Sequence, residues 1–171
     1  MRTRRPAETA FLGAFIVLWP PVIGGCLLLH FLVYKSMIDE RALLFSAFGT
    51  LAGLVAAPVT IFALKHRRIR TQPESARFAL AFLILSMITA AGTYFQSALF
   101  SFQHSIQWIH PPFEFKFFLD ILFLFAIHAY SFAAVGLRTF LPYGLIAAVL
   151  FCVFLVKLLS LFEQQSGNEG T

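Results

Sequence analysis

A chain of 171 residues that is 59% hydrophobic and 12% charged, with a formal charge of +5, has half the charged fraction of a soluble domain, which is about 25%. That is too little polar surface to cover a globule, and no polar segment is long enough to bury a core of its own, so a separate soluble domain is excluded. The basic residues fall between apolar runs, as membrane orientation requires, so lipid headgroups rather than nucleic acid are the acidic partner.

The apolar runs are near the length that crosses a hydrocarbon core of ~30 Å. They predict an all-α, polytopic membrane helix bundle, a single transmembrane domain over 1–171. Five spans are expected, at about 11–34, 42–64, 78–102, 117–137 and 141–162, with a disordered polar tail over 164–171.

The first span opens on "MRTRRPAETAFLGAFIVLW". The basic start resembles a signal peptide, but the apolar run continues to Tyr34 without a small-residue cleavage site, which predicts a retained span. Its centre reads "WPPVIGG". Pro20 leaves the carbonyl of Ile16 without a helical partner, Pro21 does the same to Val17, and Gly24 and Gly25 weaken the next turn. A re-entrant hairpin there would carry "KHRRIR" to the outer side, so the expectation is a crossing helix kinked near mid-membrane. Unbonded carbonyls are costly in hydrocarbon, so that face should meet protein. It is either a kink shaped for packing or a half-helix break at a binding site.

In the second span Gly49, Gly53 and Ala57 form a ridge of small residues, flanked by Ala52 and Ala56, of the kind that lets helix backbones approach. The partner is a helix of the same chain or of another subunit. The third span is the most polar. Ser86, Thr89, Thr93, Gln96, Ser97 and His104 recur at three- and four-residue steps and share a stripe. The stripe serves interhelical hydrogen bonds or a polar pathway toward the outer side.

The connection "SFQHSIQWIHPPFEFK" mixes aromatics with polar groups, which suits an interfacial segment in the headgroup belt. His104 and His110, with His30 near the outer end of the first span, form a candidate zinc or copper site, although their spacing matches no metal motif. His128 lies near mid-span in the fourth helix. A haem would need a second histidine at its depth, so a hydrogen-bonded interior role is expected.

Only "RTFLPYG" separates the last two spans, and Arg138 with Pro142 marks the expected turn. Folding the chain into a hairpin at Thr139 and Phe140 sets Asp120 opposite Lys157. Charge inside a span is costly and usually paired, which predicts an ion pair. Lys116, one turn before Asp120, competes, and the alternative is a proton- or ion-handling carboxylate. Lys and Arg concentrate before the first span and between the second and third. With five crossings this predicts an inside N-terminus and an outside C-terminus.

Cys26 and Cys152 sit inside apolar runs and read as small hydrophobes. No metalloprotease, hydrolase or phosphate-loop motif occurs, and no cofactor is expected. The leading functional expectation is a non-catalytic subunit or accessory factor of a membrane complex, contacting lipid and other membrane proteins or copies of itself. The alternatives are an oligomeric channel or transporter using the first span and the polar stripe, and a metal or redox enzyme at the outer face. Size and charge pattern point to a bacterial inner membrane.

Overall fold

The computed structural model describes residues 5–35, 40–105 and 114–167, and these are built from helices. In chain order they are α1 (Arg5–Lys35), α2 (Glu40–Lys65), the single turn α3 (Arg67–Arg70), α4 (Glu74–Ser105), α5 (Phe115–Ser131), a π-helical turn (Phe132–Gly136), α6 (Leu137–Phe140) and α7 (Tyr143–Gly167). Five of them, α1, α2, α4, α5 and α7, carry stretches long and apolar enough to cross a membrane. The first part of the expected polar tail is helical through Gly167, and 168–171 lie outside the described residues.

α2 is the central helix, packed on α1 along one side and on α4 along the other. Its glycines explain why. A Cβ on Gly53 would stand 3.0 Å from the Cα of Pro20, and one on Gly92 of α4 would stand 2.8 Å from the Cβ of Ala52. Gly49 faces Leu27 and Ile23 of α1, and Ala52, Ala56 and Ala57 are buried beside it. Backbones therefore approach closely on both sides of α2. Dispersion contacts hold the three helices together where lipid removes the hydrophobic drive between them.

α1 runs unbroken as an α-helix through Pro20 and Pro21, so neither proline ends it. The stripe Leu12, Phe15, Trp19, Ile23 and Leu27 is buried at helical spacing. Pro20 and Gly24 lie on the α2 side, while Val17, Pro21 and Gly25 lie on the outward side. Just past the prolines, Ser46 Oγ of α2 donates to the Gly24 carbonyl at 2.7 Å.

The last third of the chain departs from the expected hairpin. Phe132 packs its ring on Tyr94 and Phe45, at the end of the bundle where Phe45 also meets Phe31. Phe140 lies beside Trp19 and Gly144. α7 then pairs Phe151 with Phe15, and Phe154 with Phe11, and delivers Glu163 to Arg77. From Phe132 to Glu163 the chain thus descends the bundle in one direction, stepping sideways at Leu141 and Pro142, where the ring nitrogen cannot continue the helix. α5 and α7 follow each other in line and do not fold back on one another. The C-terminal end of α7 lies at the same end of the bundle as the N-terminal part of α1.

Candidate functional site

The most organised polar cluster of the described residues closes that shared end. Glu163, at the end of α7's apolar run, accepts from two arginines. Arg77 Nη1 donates to Oε2 at 2.9 Å and Nη2 to Oε1 at 3.5 Å, and Arg70 Nε donates to Oε1 at 3.0 Å. Beside them Lys65 Nζ pairs with Glu8 Oε1 at 2.9 Å. Each partner stands at the margin of an apolar run, and all but Arg77 keep part of the charged head in water while the stem stays against lipid or protein. The four helix ends so joined are α1, α2, α4 and α7, around a polar cavity of about 270 Å³ floored by Leu64, Leu159 and Phe162.

Arg77 is the unusual member. Its side chain is 4% exposed, against 28% for Glu163 and 54% for Arg70. A guanidinium out of water demands a carboxylate in good geometry, and Glu163 gives it a two-point contact. The Arg70 contact is a surface pair worth at most about 1 kcal/mol.

This clasp was not foreseen from the sequence. Its only signal was that Glu163 ends one apolar run and Arg77 begins another. That coincidence becomes informative only once the direction of α7 is known. With no hairpin between α5 and α7, the ion pair expected of Asp120 and Lys157 loses its premise. Lys157 is exposed on α7, two turns before Glu163. Asp120 is half-buried on α5, in an element that reaches the bundle around Tyr94, and is itself engaged in contact.

The polar stripe of α4 divides. Thr89 and Thr93 are buried, and each hydroxyl donates to its own helix, to the carbonyls of Leu85 at 2.6 Å and Thr89 at 2.8 Å. Thr60 of α2 does the same to Ala56. Hydroxyls turned onto their own backbone are satisfied without lining a polar pathway. Ser86, Gln96 and Ser97 are half-buried on the flank, and the Gln96 side-chain carbonyl oxygen is buried with no hydrogen-bond partner among the described residues.

Of the candidate metal ligands, His30 is half-buried in the C-terminal part of α1, its ring edge-on to Phe31. His110 and the side chain of His104 lie outside the described residues. Among the described residues no three His, Cys, Asp or Glu side chains come together as a metal site. His128 is bonded through Nδ1 to the Leu124 carbonyl at 3.0 Å, within its own helix.

α5 stands apart. None of its residues is buried, and Phe115, Phe118, Leu122, Phe123 and Tyr130 are each exposed by more than 60%. It is held to α4 by Tyr94, whose hydroxyl donates to the Phe125 carbonyl at 3.0 Å while its ring meets Phe132. Tyr94→Phe should therefore cost the bundle only about 1 kcal/mol, yet speed proteolysis or amide exchange within α5 several-fold and leave α2 unaffected. Equal change in both helices would refute Tyr94 as the tether.

No protein-family model, no curated protein and no solved structure matches this chain.

Proposed function

We propose that this protein is a non-catalytic subunit or accessory factor of a membrane assembly. In this reading it crosses the bilayer four times, with both ends of the bundle's polypeptide on the inner side and α5 offered at the outer end as the contact helix. The observation that supports it is α5 itself. Only the face of α5 through Asp120, Leu124 and His128 is half-buried, and its other faces present large apolar side chains that are left to lipid or to a further helix.

Heights along the bundle sharpen the point. Tyr94 lies about 25 Å along α4 from Arg77, at 1.5 Å per residue. With the clasp at the inner boundary, the α5 contact at Tyr94 sits near the outer one. α1, α2, α4 and α7 fill the thickness between, and α5 projects from its outer rim, where lipid tails do not cover all its faces. A second membrane helix would bury them.

This proposed topology has one crossing fewer than the five apolar helices allow, and it keeps the basic clusters apart while Arg138 and Lys157 exchange sides. Lys65, Arg67, Arg68, Arg70 and Arg77 remain inside with the arginines before α1, and Lys35, Arg41 and Lys116 outside. Arg138, exposed on α6, and Lys157, exposed on α7, become the charges nearest the hydrocarbon, and their long stems allow the heads to reach the outer and the inner headgroups respectively. A reporter fused at the C-terminus and one at residue 70 should both read cytoplasmic. A C-terminus exposed on the opposite side from residue 70 overturns the four-crossing arrangement.

The subunit reading is tested by the mass of the particle purified in mild detergent. The expected result is a second polypeptide, or a second copy, at fixed ratio to this 19.2 kDa chain, lost when Leu122→Ser and Phe123→Ser are combined. A lone chain whose mass and stability ignore that double change sinks the proposal. The inner membrane of a bacterium is the location this reading favours.

A further inference from the structure

The clasp that ties α7 to α4 does not use up the charge around it. Among the described residues, the charged side chains on the cavity at that end of the bundle are Glu8, Lys65, Arg70, Arg77 and Glu163. Both carboxylates are engaged, Glu8 by Lys65 and Glu163 by the two arginines. Three cations face two carboxylates, which leaves one positive charge over. The surplus sits with Arg70 and Lys65. Arg70 touches Glu163 through Nε alone, at 3.0 Å, and its two terminal nitrogens have no partner among the described residues. Lys65 makes one contact, to Glu8, whereas an ammonium carries three donors. α1 and α4 begin at this end, and α2 and α7 finish here. Their dipoles therefore largely offset one another, and the side chains set the sign.

The space suits an anion of moderate size. Its volume of about 270 Å³ is several times the ~30 Å³ that one water takes in the liquid. The floor is shut, because Leu64 is wholly buried and Leu159 nearly so, and an acyl chain cannot thread between the helices there. Arg70 and Lys65 are 54% and 42% exposed along their side chains, which keeps their donors within reach of a ligand arriving from outside. Arg77 stands behind them as buried charge. Four spans end here, at Glu8, Lys65, Glu74 and Gln164, which sets the cavity at the level of lipid headgroups.

We propose that this cavity binds a phosphate group, held by the terminal nitrogens of Arg70 and by Lys65. A planar fork of paired donors matches two phosphate oxygens, and an ammonium beside it adds a point charge. The position at the span ends favours the phosphate of an anionic membrane lipid, whose chains stay outside the bundle while the head reaches in. A soluble phosphate compound offers the same chemistry from the aqueous side. The site lies at the opposite end of the bundle from the α5 contact, and it stands or falls separately from the subunit reading.

The test uses the intact protein in an uncharged detergent, with ionic strength held constant by chloride. The probes are inorganic phosphate, and dihexanoylphosphatidylglycerol compared with dihexanoylphosphatidylcholine. The two lipids carry the same chains, so their difference reads the headgroup. Phosphate should raise the thermal unfolding midpoint. Phosphatidylglycerol should bind about tenfold more tightly than phosphatidylcholine, relative to their partition into protein-free micelles, as one charge-assisted contact implies. Arg70→Gln should weaken phosphate and phosphatidylglycerol by about tenfold on the same grounds, and it leaves the buried Arg77 contact with Glu163 in place. Glu8→Gln, which releases Lys65, should tighten both severalfold. Arg68→Gln, exposed near Arg70 but off the cavity wall, should leave both unchanged. Phosphate binding that depends on Arg70, with no preference between the lipids, supports the site and gives it to a soluble phosphate compound. Failure of both phosphate and phosphatidylglycerol to bind overturns the proposal. So does a loss in Arg68→Gln as large as that in Arg70→Gln, which marks a diffuse basic surface instead of a built cavity.

Discussion

Glu163→Gln is expected to lower the unfolding free energy by about 3 kcal/mol, the near end of the range for breaking a buried ion pair. The near end applies because Glu163 is partly exposed, while Arg77 is almost wholly buried. Glutamine keeps the shape but leaves a buried guanidinium without its counter-charge. Removing the other partner should hurt less. Arg77→Met takes the buried charge away, leaves Glu163 to Arg70 and water, and replaces a stem that already packs on apolar neighbours. The double change Arg77→Met with Glu163→Leu should fall closer to the original protein than Glu163→Gln alone, since a well-packed apolar pair often equals a buried ionic one. Arg70→Ala should cost less than about 1 kcal/mol, and that loss should shrink in high salt. Reversible unfolding in mixed micelles measures all four. A Glu163→Gln protein within 0.5 kcal/mol of the original would mean that Arg77 is compensated otherwise and that the clasp does not hold α7.

The second large effect separates two adjacent glycines. A Cβ on Gly24 would overlap the Thr50 hydroxyl and stand 3.3 Å from the Ser46 carbonyl of α2, next to the bond Ser46 makes to Gly24. One on Gly25 would meet nothing within 4 Å. Gly24→Ala should thus destabilise by about 2–3 kcal/mol, through overpacking and loss of the interhelical hydrogen bond. Gly25→Ala should stabilise by about 0.5–1 kcal/mol, because alanine is the better helix former at an open position. Gly53→Ala should side with Gly24, since the atom in its way is the Cα of Pro20, which cannot rotate aside. Thermal unfolding in one detergent ranks the three. Equal effects at Gly24 and Gly25 would show that the α1–α2 crossing is not set by close backbone approach.

Both predictions follow from features only half visible in the sequence. Small residues at Gly49, Gly53 and Ala57 announce a close helix contact because only small side chains permit one. They do not say which helix comes close, and the structure assigns Gly49 and Gly53 to α1 and the Ala52 side to α4. "WPPVIGG" announces a special segment. The structure divides it, with Trp19, Pro20 and Gly24 toward protein and Pro21 and Gly25 outward. The threonines of α4 are polar in the sequence, yet a hydroxyl can turn onto the carbonyl four residues back, and in Thr89 and Thr93 it does. Residue type alone cannot reveal that choice.

What the sequence determined by itself is the solvent and the element type. Runs of apolar residues of bilayer length, in a chain with few charges, have no stable alternative to helices whose backbone bonds are closed within each segment. Boundaries near Lys35, Lys65, Glu74 and Tyr143 follow from where polar residues interrupt those runs. The direction of the last helix was decided by tertiary structure alone. Counting basic residues permits α7 to run either way, because it carries one lysine and ends in a nearly uncharged tail. A turn at Leu141 and Pro142 can equally reverse the chain or offset it. Packing of Phe151 and Phe154 on α1, together with the clasp of Glu163 on Arg77 and Arg70, selects the descending course. These are contacts between residues far apart in the chain, and no local periodicity encodes them. The same selection leaves α5 uncovered.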